Sequence, residues 1–174
     1  MWTTVSAAYL IYNLRTMDIL WSELSAGIPD ARQLTIVALR LVSAAVLGAA
    51  IGYERETAGK AAGLRTHILV TAGTCVFVLG CIGAGMESDA LSRVIQGIVT
   101  GIGFVGAGSI LKRESEKQIQ GVTTSAGIWM AAAIGVSVGL GGLGLALMAT
   151  ALSLVVLRAT LWFEERLTKE AAKK

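Results

Sequence analysis

Glu54, Arg55 and Glu56 stand shortly before Arg65, Thr66 and His67, and Thr123, Thr124 and Ser125 follow further along the chain. Together they supply carboxylates, planar guanidinium donors, an imidazole and hydroxyls. An arginine fork can bridge a carboxylate and a hydroxyl at once, which lysine cannot copy. Hydroxyls at a helix start can cap it, and Arg–Glu pairs can lock a loop. A second set is Arg40, Asp89, Arg93, Gln96 and Thr100. The last four recur at helical spacing and share one stripe, where Asp89 and Arg93 can pair. This set reads as an ion pair that fixes helix register, or as a site for a transported ion. No paired carboxylates, nucleophile–base pair or zinc spacing is present, so no enzyme is expected. Cys75 and Cys81 lie six apart, on different faces of a helix, and His67 is the only histidine. They read as two small core residues and not as a Cys/His metal cluster.

One motif invites a cofactor reading. Gly101-Ile-Gly103-Phe-Val-Gly106 matches G-x-G-x-x-G. A dinucleotide fingerprint follows a strand, opens a soluble helix and meets an acidic residue about 20 positions later. Here the motif sits in an apolar stretch and Gly121 occupies that position, so no cofactor is expected.

These residues must be held by apolar segments. Hydrophobic residues make up 54% of the chain, charged residues 16%, and the mean hydropathy is +0.67. A bilayer core about 30 Å thick needs roughly 20 mostly apolar residues per spanning helix. Five windows qualify: Gln33–Tyr53, His67–Gly85, Ala90–Leu111, Val122–Leu140 and Leu143–Phe163, with Gly141 and Gly142 turning between the last two. The single Pro29 and the lack of alternating patterns argue against a membrane barrel. The expected fold is an all-α integral membrane protein of five transmembrane helices. Its parts are an N-terminal segment (1–32), a membrane domain (33–163) and a tail (164–174). Ala7–Leu24 is either an interfacial helix anchored by Tyr12, Leu20 and Trp21 or a disordered extension.

Arg55, Lys60, Arg65, Lys112, Arg113, Lys117, Arg158, Arg166, Lys169, Lys173 and Lys174 would share one side, against Arg15 and Arg32 on the other. The positive-inside rule then puts the N-terminus outside and the C-terminus in the cytoplasm. The net charge of +3 sits in short loops beside apolar segments, so no nucleic-acid partner is expected. Arg40 and Arg93 fall within spans, where an unpartnered arginine costs roughly 3 kcal/mol.

Small residues four apart occur at Gly48/Gly52, Gly97/Gly101 and Gly135/Gly139. Such faces let helix backbones approach in lipid, within one bundle or between two copies. Gly48, Gly52, Gly97 and Gly101 are expected at helix contacts. The glycine-dense stretch Gly101–Gly108 either kinks the third span or packs as a smooth helix.

Arg40-Leu-Val-Ser-Ala-Ala-Val-Leu-Gly-Ala-Ala-Ile-Gly-Tyr-Glu-Arg-Glu56, then Ala62-Gly-Leu-Arg-Thr-His-Ile-Leu-Val70, resembles the opening of the MgtC/SapB membrane-protein family. Asp89 to Arg93, Gly101-Ile-Gly-Phe-Val-Gly-Ala-Gly-Ser-Ile110 and Gly121-Val-Thr-Thr-Ser-Ala-Gly-Ile-Trp129 continue the likeness in order. It covers about Arg40 to Thr150. The resemblance implies a five-helix bundle of the bacterial inner membrane. It puts the family's motif residues on Arg40, Glu54, Arg55, Arg65, Thr66, Asp89, Arg93, Thr123, Thr124 and Trp129, with Gly101, Gly103, Gly106 and Gly108 in the glycine motif. It also implies a link to magnesium homeostasis, growth in low magnesium and restraint of the ATP synthase. Longer relatives carry a soluble C-terminal domain, whereas here only Glu164–Lys174 follows the last span.

Two functions follow. The leading one is a non-enzymatic membrane regulator acting on a membrane-protein partner, because no unpaired carboxylate is expected within the spans. The alternative is a small-ion transporter or channel, for Mg²⁺ or another cation. Mg²⁺ prefers octahedral oxygen ligands, and Asp89 alone is a thin site. Glu54, Arg55, Arg65, Thr66, His67, Thr123 and Thr124 are expected to form one cytoplasmic polar network, and Arg40, Asp89, Arg93 and Gln96 an outer one. A symmetric homo-oligomer is expected as the commonest assembly.

Overall fold

The computed structural model describes residues 15–23, 30–113 and 118–171, and of 111–113, 118–119 and 160–171 the backbone alone. The chain divides into two compact units, residues 1–36 and 37–174.

In the first unit residues 15–23 form helix α1, with Leu20 and Trp21 exposed. The rest of the expected interfacial helix, Tyr12 included, lies outside the described residues. Helix α2 (Ala31–Thr57) starts here. The backbone N–H of Gln33 donates to Asp30 Oδ1 at 2.6 Å, so the aspartate satisfies a donor that the helix start leaves free.

The second unit holds the rest of α2, then α3 (Leu64–Gly83), α4 (Ser88–Gly108), α5 (Val122–Gly139) and α6 (Leu143–Ala171). Four of these, α2 to α5, are long and apolar enough to cross a membrane, and α6 adds a shorter apolar stretch over Leu143–Ala159. The helix starts and ends lie close to the expected windows. The glycine turn is present: α5 stops at Gly139, Gly141 takes φ +89°, and α6 begins at Leu143. The α6 helix runs on to Ala171, through most of the expected tail.

Two strands were not foreseen. β1 (Leu111–Arg113) and β2 (Gln118–Gln120) pair antiparallel, with Lys112 opposite Ile119. Three residues are too few for an alternating pattern to register in a sequence. Lys117 lies outside the described residues. The strands return the chain to Gly121, which adopts φ +96° at the start of α5. A Cβ there would collide with the carbonyl oxygen of Ser109, so the close approach and the backbone conformation both call for glycine.

Glycines set the helix spacing, but only some of those expected. A Cβ on Gly48 would meet Thr71 Oγ1 and come within 2.7 Å of the His67 carbonyl oxygen, and one on Gly52 would lie 2.7 Å from Leu64 Cα. These seat α2 on α3. Gly135 and Gly139 seat α5 on α3 in the same way, against Thr74 Oγ1 and Val78. Gly97 and Gly101 meet nothing within 4 Å, which corrects their expected place at helix contacts within the bundle. The reason is phase: their side of α4 faces outward, while Ile95, Ile98 and Ile102 turn toward α5. The α4 helix is continuous through Gly101–Gly108, so the glycines do not break it.

The core gathers Ala44, Leu47, Ile51, Cys75, Ile134, Val138, Ala146 and Leu157. Cys75 and Cys81 are free and both buried. Both are buried as the small core residues the sequence suggests, and Cys75 joins this cluster. Outward-facing Leu145, Met148, Leu152 and Val155 on α6, with Val76 and Phe77 on α3, are the surface a lipid solvent accepts.

Candidate functional site: a buried polar cluster

The last turn of α2, the first turn of α3 and the first turn of α5 bring their polar residues inward. Glu54 and Arg55 end the buried stripe of α2 that starts at Ala44, and His67 begins the stripe of α3 that continues through Thr71, Thr74, Cys75 and Val78. Thr124 opens the buried face of α5. Exposures of 4% for Glu54, 3% for Arg55, 0% for His67 and 4% for Thr124 make this a dehydrated cluster of ionisable groups. Such groups are costly unless partnered.

Arg55 Nη2 donates to Thr124 Oγ1 at 3.0 Å, tying α2 to α5. His67 Nδ1 lies 2.9 Å from the Gly63 carbonyl oxygen. As donor there, the neutral ring leaves Nε2 as an acceptor. The ring faces α5 at Gly127, where a Cβ would stand 3.5 Å from Nε2. Thr71 and Thr74 return their hydroxyls to carbonyls one turn back, and Thr74 Oγ1 also reaches Ala132 O on α5 at 3.2 Å. Glu56 Oε2 accepts from the Leu64 backbone N–H at 2.8 Å and closes the start of α3. Four buried atoms have no hydrogen-bond partner among the described residues: both carboxylate oxygens of Glu54, Arg55 Nε and His67 Nε2. Beside the cluster an apolar cavity of about 200 Å³ is lined by Ile51, Thr123, Gly127, Met130, Leu152 and Leu157.

The expected cytoplasmic network is therefore assembled in part. Arg55 joins Thr124, and Glu54 and His67 are buried beside them. Arg65 is exposed and Thr123 is exposed on the cavity side. Arg65 precedes His67 by two residues, which turns it to the opposite side of α3 from the buried stripe. Thr123 is one helical step from Thr124 and misses the cluster for the same reason. Thr66 is half-buried. Both Glu54 oxygens lack a hydrogen-bond partner among the described residues although the side chain is buried, one position past the expected window Gln33–Tyr53.

The outer network is not formed. Arg40 Nη1 donates to Gly139 O at 2.8 Å, capping the C-terminal end of α5, where carbonyls are free and the helix dipole is negative. Asp89, Arg93 and Gln96 are exposed on α4. Trp129 is about half-exposed and lines a cavity of about 230 Å³ with Ile95, Ile98 and Ile102. Gly106 meets Ser125, while Gly103 and Gly108 meet nothing. The residues missed were Thr71 and Thr74. Their spacing from His67, at i+4 and i+7, was the signal that could have found them. Among the described residues no group of three or more His, Cys, Asp and Glu could hold a metal ion.

The MgtC family model matches residues 41–166, most of the helical unit that carries this cluster. The chain belongs to the MgtC family. Among relatives, it is 40% identical over 132 residues to protein SrpB of Synechococcus elongatus, covering 70% of this chain and 72% of that protein. It is 41% identical over 129 residues to YhiD of Escherichia coli strain K12, a protein named for magnesium transport, covering 68% of this chain and 58% of that one. It is 40% identical over 127 residues to protein MgtC of Salmonella typhimurium, covering 73% and 52%. The chain thus spans little more than half the length of YhiD and MgtC. No solved structure matches. Membership in the MgtC family and the four long apolar helices make the chain a multi-pass membrane protein.

Proposed function

We propose that this MgtC-family chain serves magnesium homeostasis in the bacterial inner membrane as a non-enzymatic regulator of a membrane-protein partner. In this reading α6 is a fifth span, the N-terminus lies outside and the C-terminus in the cytoplasm, following the lysines and arginines of the loops. A homo-oligomer belongs to the same reading. The observation that carries it is the buried Arg55, hydrogen-bonded to Thr124 at 3.0 Å. A fixed guanidinium in the cluster that contains Glu54 opposes entry of a divalent cation, since like charges in a poorly screened site repel strongly. The same bond ties two spans and gives the bundle a defined arrangement for a partner to read. The magnesium link rests on relatives such as YhiD, named for magnesium transport.

Growth in low magnesium tests it. A bacterium lacking its own MgtC-family protein should regain growth with this chain and with Thr124→Ser, and not with Thr124→Val. Equal growth with Thr124→Val, at equal protein level, would remove the Arg55–Thr124 contact from the function.

The second reading is a cation transporter. Both oxygens of the buried Glu54 carboxylate lack a hydrogen-bond partner among the described residues, and an unpaired carboxylate at a span's end is a natural ion or proton site.

A further inference from the structure

The outward faces of the helices differ in kind. On α2, α3 and α6 they are lipid-like, with Val42, Val46, Val76, Phe77, Leu152 and Val155 exposed. On α4 polar residues and glycines join the exposed side. Its larger aliphatic residues, Leu91, Val94, Ile95, Ile98 and Ile102, are half-buried toward the bundle. Its exposed residues include Arg93, Gln96, Gly97, Thr100 and Gly101, together with the apolar Val99, Phe104 and Val105. Gln96 comes eight residues into the helix, about 12 Å from its start at 1.5 Å per residue. That depth lies inside the hydrocarbon, where a carboxamide has no water to bond. Thr100 satisfies its own hydroxyl on the Gln96 carbonyl at 2.9 Å, but the Gln96 side chain is exposed. Nothing within 4 Å fills the space over Gly97 or Gly101.

We propose that this face of α4 is the contact surface for a second copy of the chain, in a two-fold dimer whose α4 helices run side by side. The proposal rests on the placement of α4 across the bilayer. The face is self-complementary. A carboxamide is both donor and acceptor, so Gln96 pairs with the same residue of a second copy at equal depth. Asp89 and Arg93 carry opposite charges one turn apart, so each acid lies one turn from the other copy's guanidinium across the axis. Gly97 and Gly101 allow the backbones to approach closely enough for these groups to meet. A copy of the same chain meets all three requirements without a new partner chemistry, and the isologous contact closes on itself.

Cross-linking in native membranes tests this with the full chain. Gln96→Cys, Gly97→Cys and Thr100→Cys, each carrying a benzophenone maleimide, should give a product of twice the chain mass on illumination. The same label at Val46→Cys, Val76→Cys and Leu152→Cys should not, and the unlabelled wild type, whose Cys75 and Cys81 are buried, is the background. Gln96→Leu should weaken dimerisation in lipid by about threefold to thirtyfold, the range for one interhelical polar contact. A product of another mass at positions 96, 97 and 100 would assign the face to a different membrane protein and overturn the proposal. So would an internal link to residues 1–30, or lipid-only labelling equal to that at position 46. Modification of Gln96→Cys by a membrane-impermeant thiol reagent would overturn the placement of α4 across the bilayer and the dimer together.

Discussion

Arg55 reaches from α2 to Thr124 at the start of α5, Nη2 to Oγ1 at 3.0 Å, and both side chains are buried. Removing the acceptor leaves a buried guanidinium short of a partner, which costs more than the bond itself contributes. Thr124→Val is expected to lower stability by roughly 1–3 kcal/mol in detergent unfolding. Thr124→Ser keeps the oxygen and is expected to stay within about 0.5 kcal/mol of wild type.

Arg65 and Lys60 are both exposed. Arg65→Ala and Lys60→Ala should each change stability by less than about 0.5 kcal/mol, as surface substitutions away from special features do. Calorimetry of the purified variants beside Thr124→Val checks this. A loss for Arg65→Ala equal to that of Thr124→Val would return Arg65 to the buried cluster.

Gly135 faces Thr74 Oγ1 and the Thr71 carbonyl oxygen, leaving no room for a methyl group. Gly135→Ala is expected to destabilise by roughly 1–3 kcal/mol through overpacking. Gly97→Ala meets open space within one copy and gains helix propensity of about 1 kcal/mol. Thermal melts of the two variants as monomers should therefore move in opposite directions.

Lys60 lies between α2 and α3 and Asp89 at the start of α4. With the positive loops inside, an impermeant reagent added to intact cells should label Asp89→Cys and miss Lys60→Cys. Labelling at 60 and not at 89 would reverse the orientation.

The spans were readable because lipid imposes one demand, about twenty apolar residues, that composition alone displays. The family motifs were readable for a different reason: they are ordered strings. Phase was harder. The Gly-x-x-x-Gly spacing is the same at Gly48/Gly52 and Gly97/Gly101, yet the first pair seats α2 on α3 and the second faces out. Spacing fixes a stripe on a helix, and only the tertiary arrangement decides which way the stripe turns. Arg65 and Thr123 were misplaced on the same account. Each stands within two positions of a buried residue and points away from it. Arg40 was matched to Asp89 by charge, but the carbonyl end of α5 reached it first. A backbone acceptor carries no sequence signature. The unpartnered Glu54 was hidden by its neighbour, because Arg55 in the next position looks like a partner, yet its Nη2 bonds Thr124 and its Nε bonds nothing among the described residues.

Magnesium flux into liposomes holding the purified full chain bears most directly on whether the buried cluster holds a partner-readable bundle together or passes a cation. With a Mg²⁺-sensitive dye trapped inside, uptake should match that of protein-free liposomes, and Glu54→Gln should leave it unchanged. Saturable Mg²⁺ uptake by the wild type that Glu54→Gln abolishes, with the fold intact, would contradict the regulator reading and establish the transporter in its place.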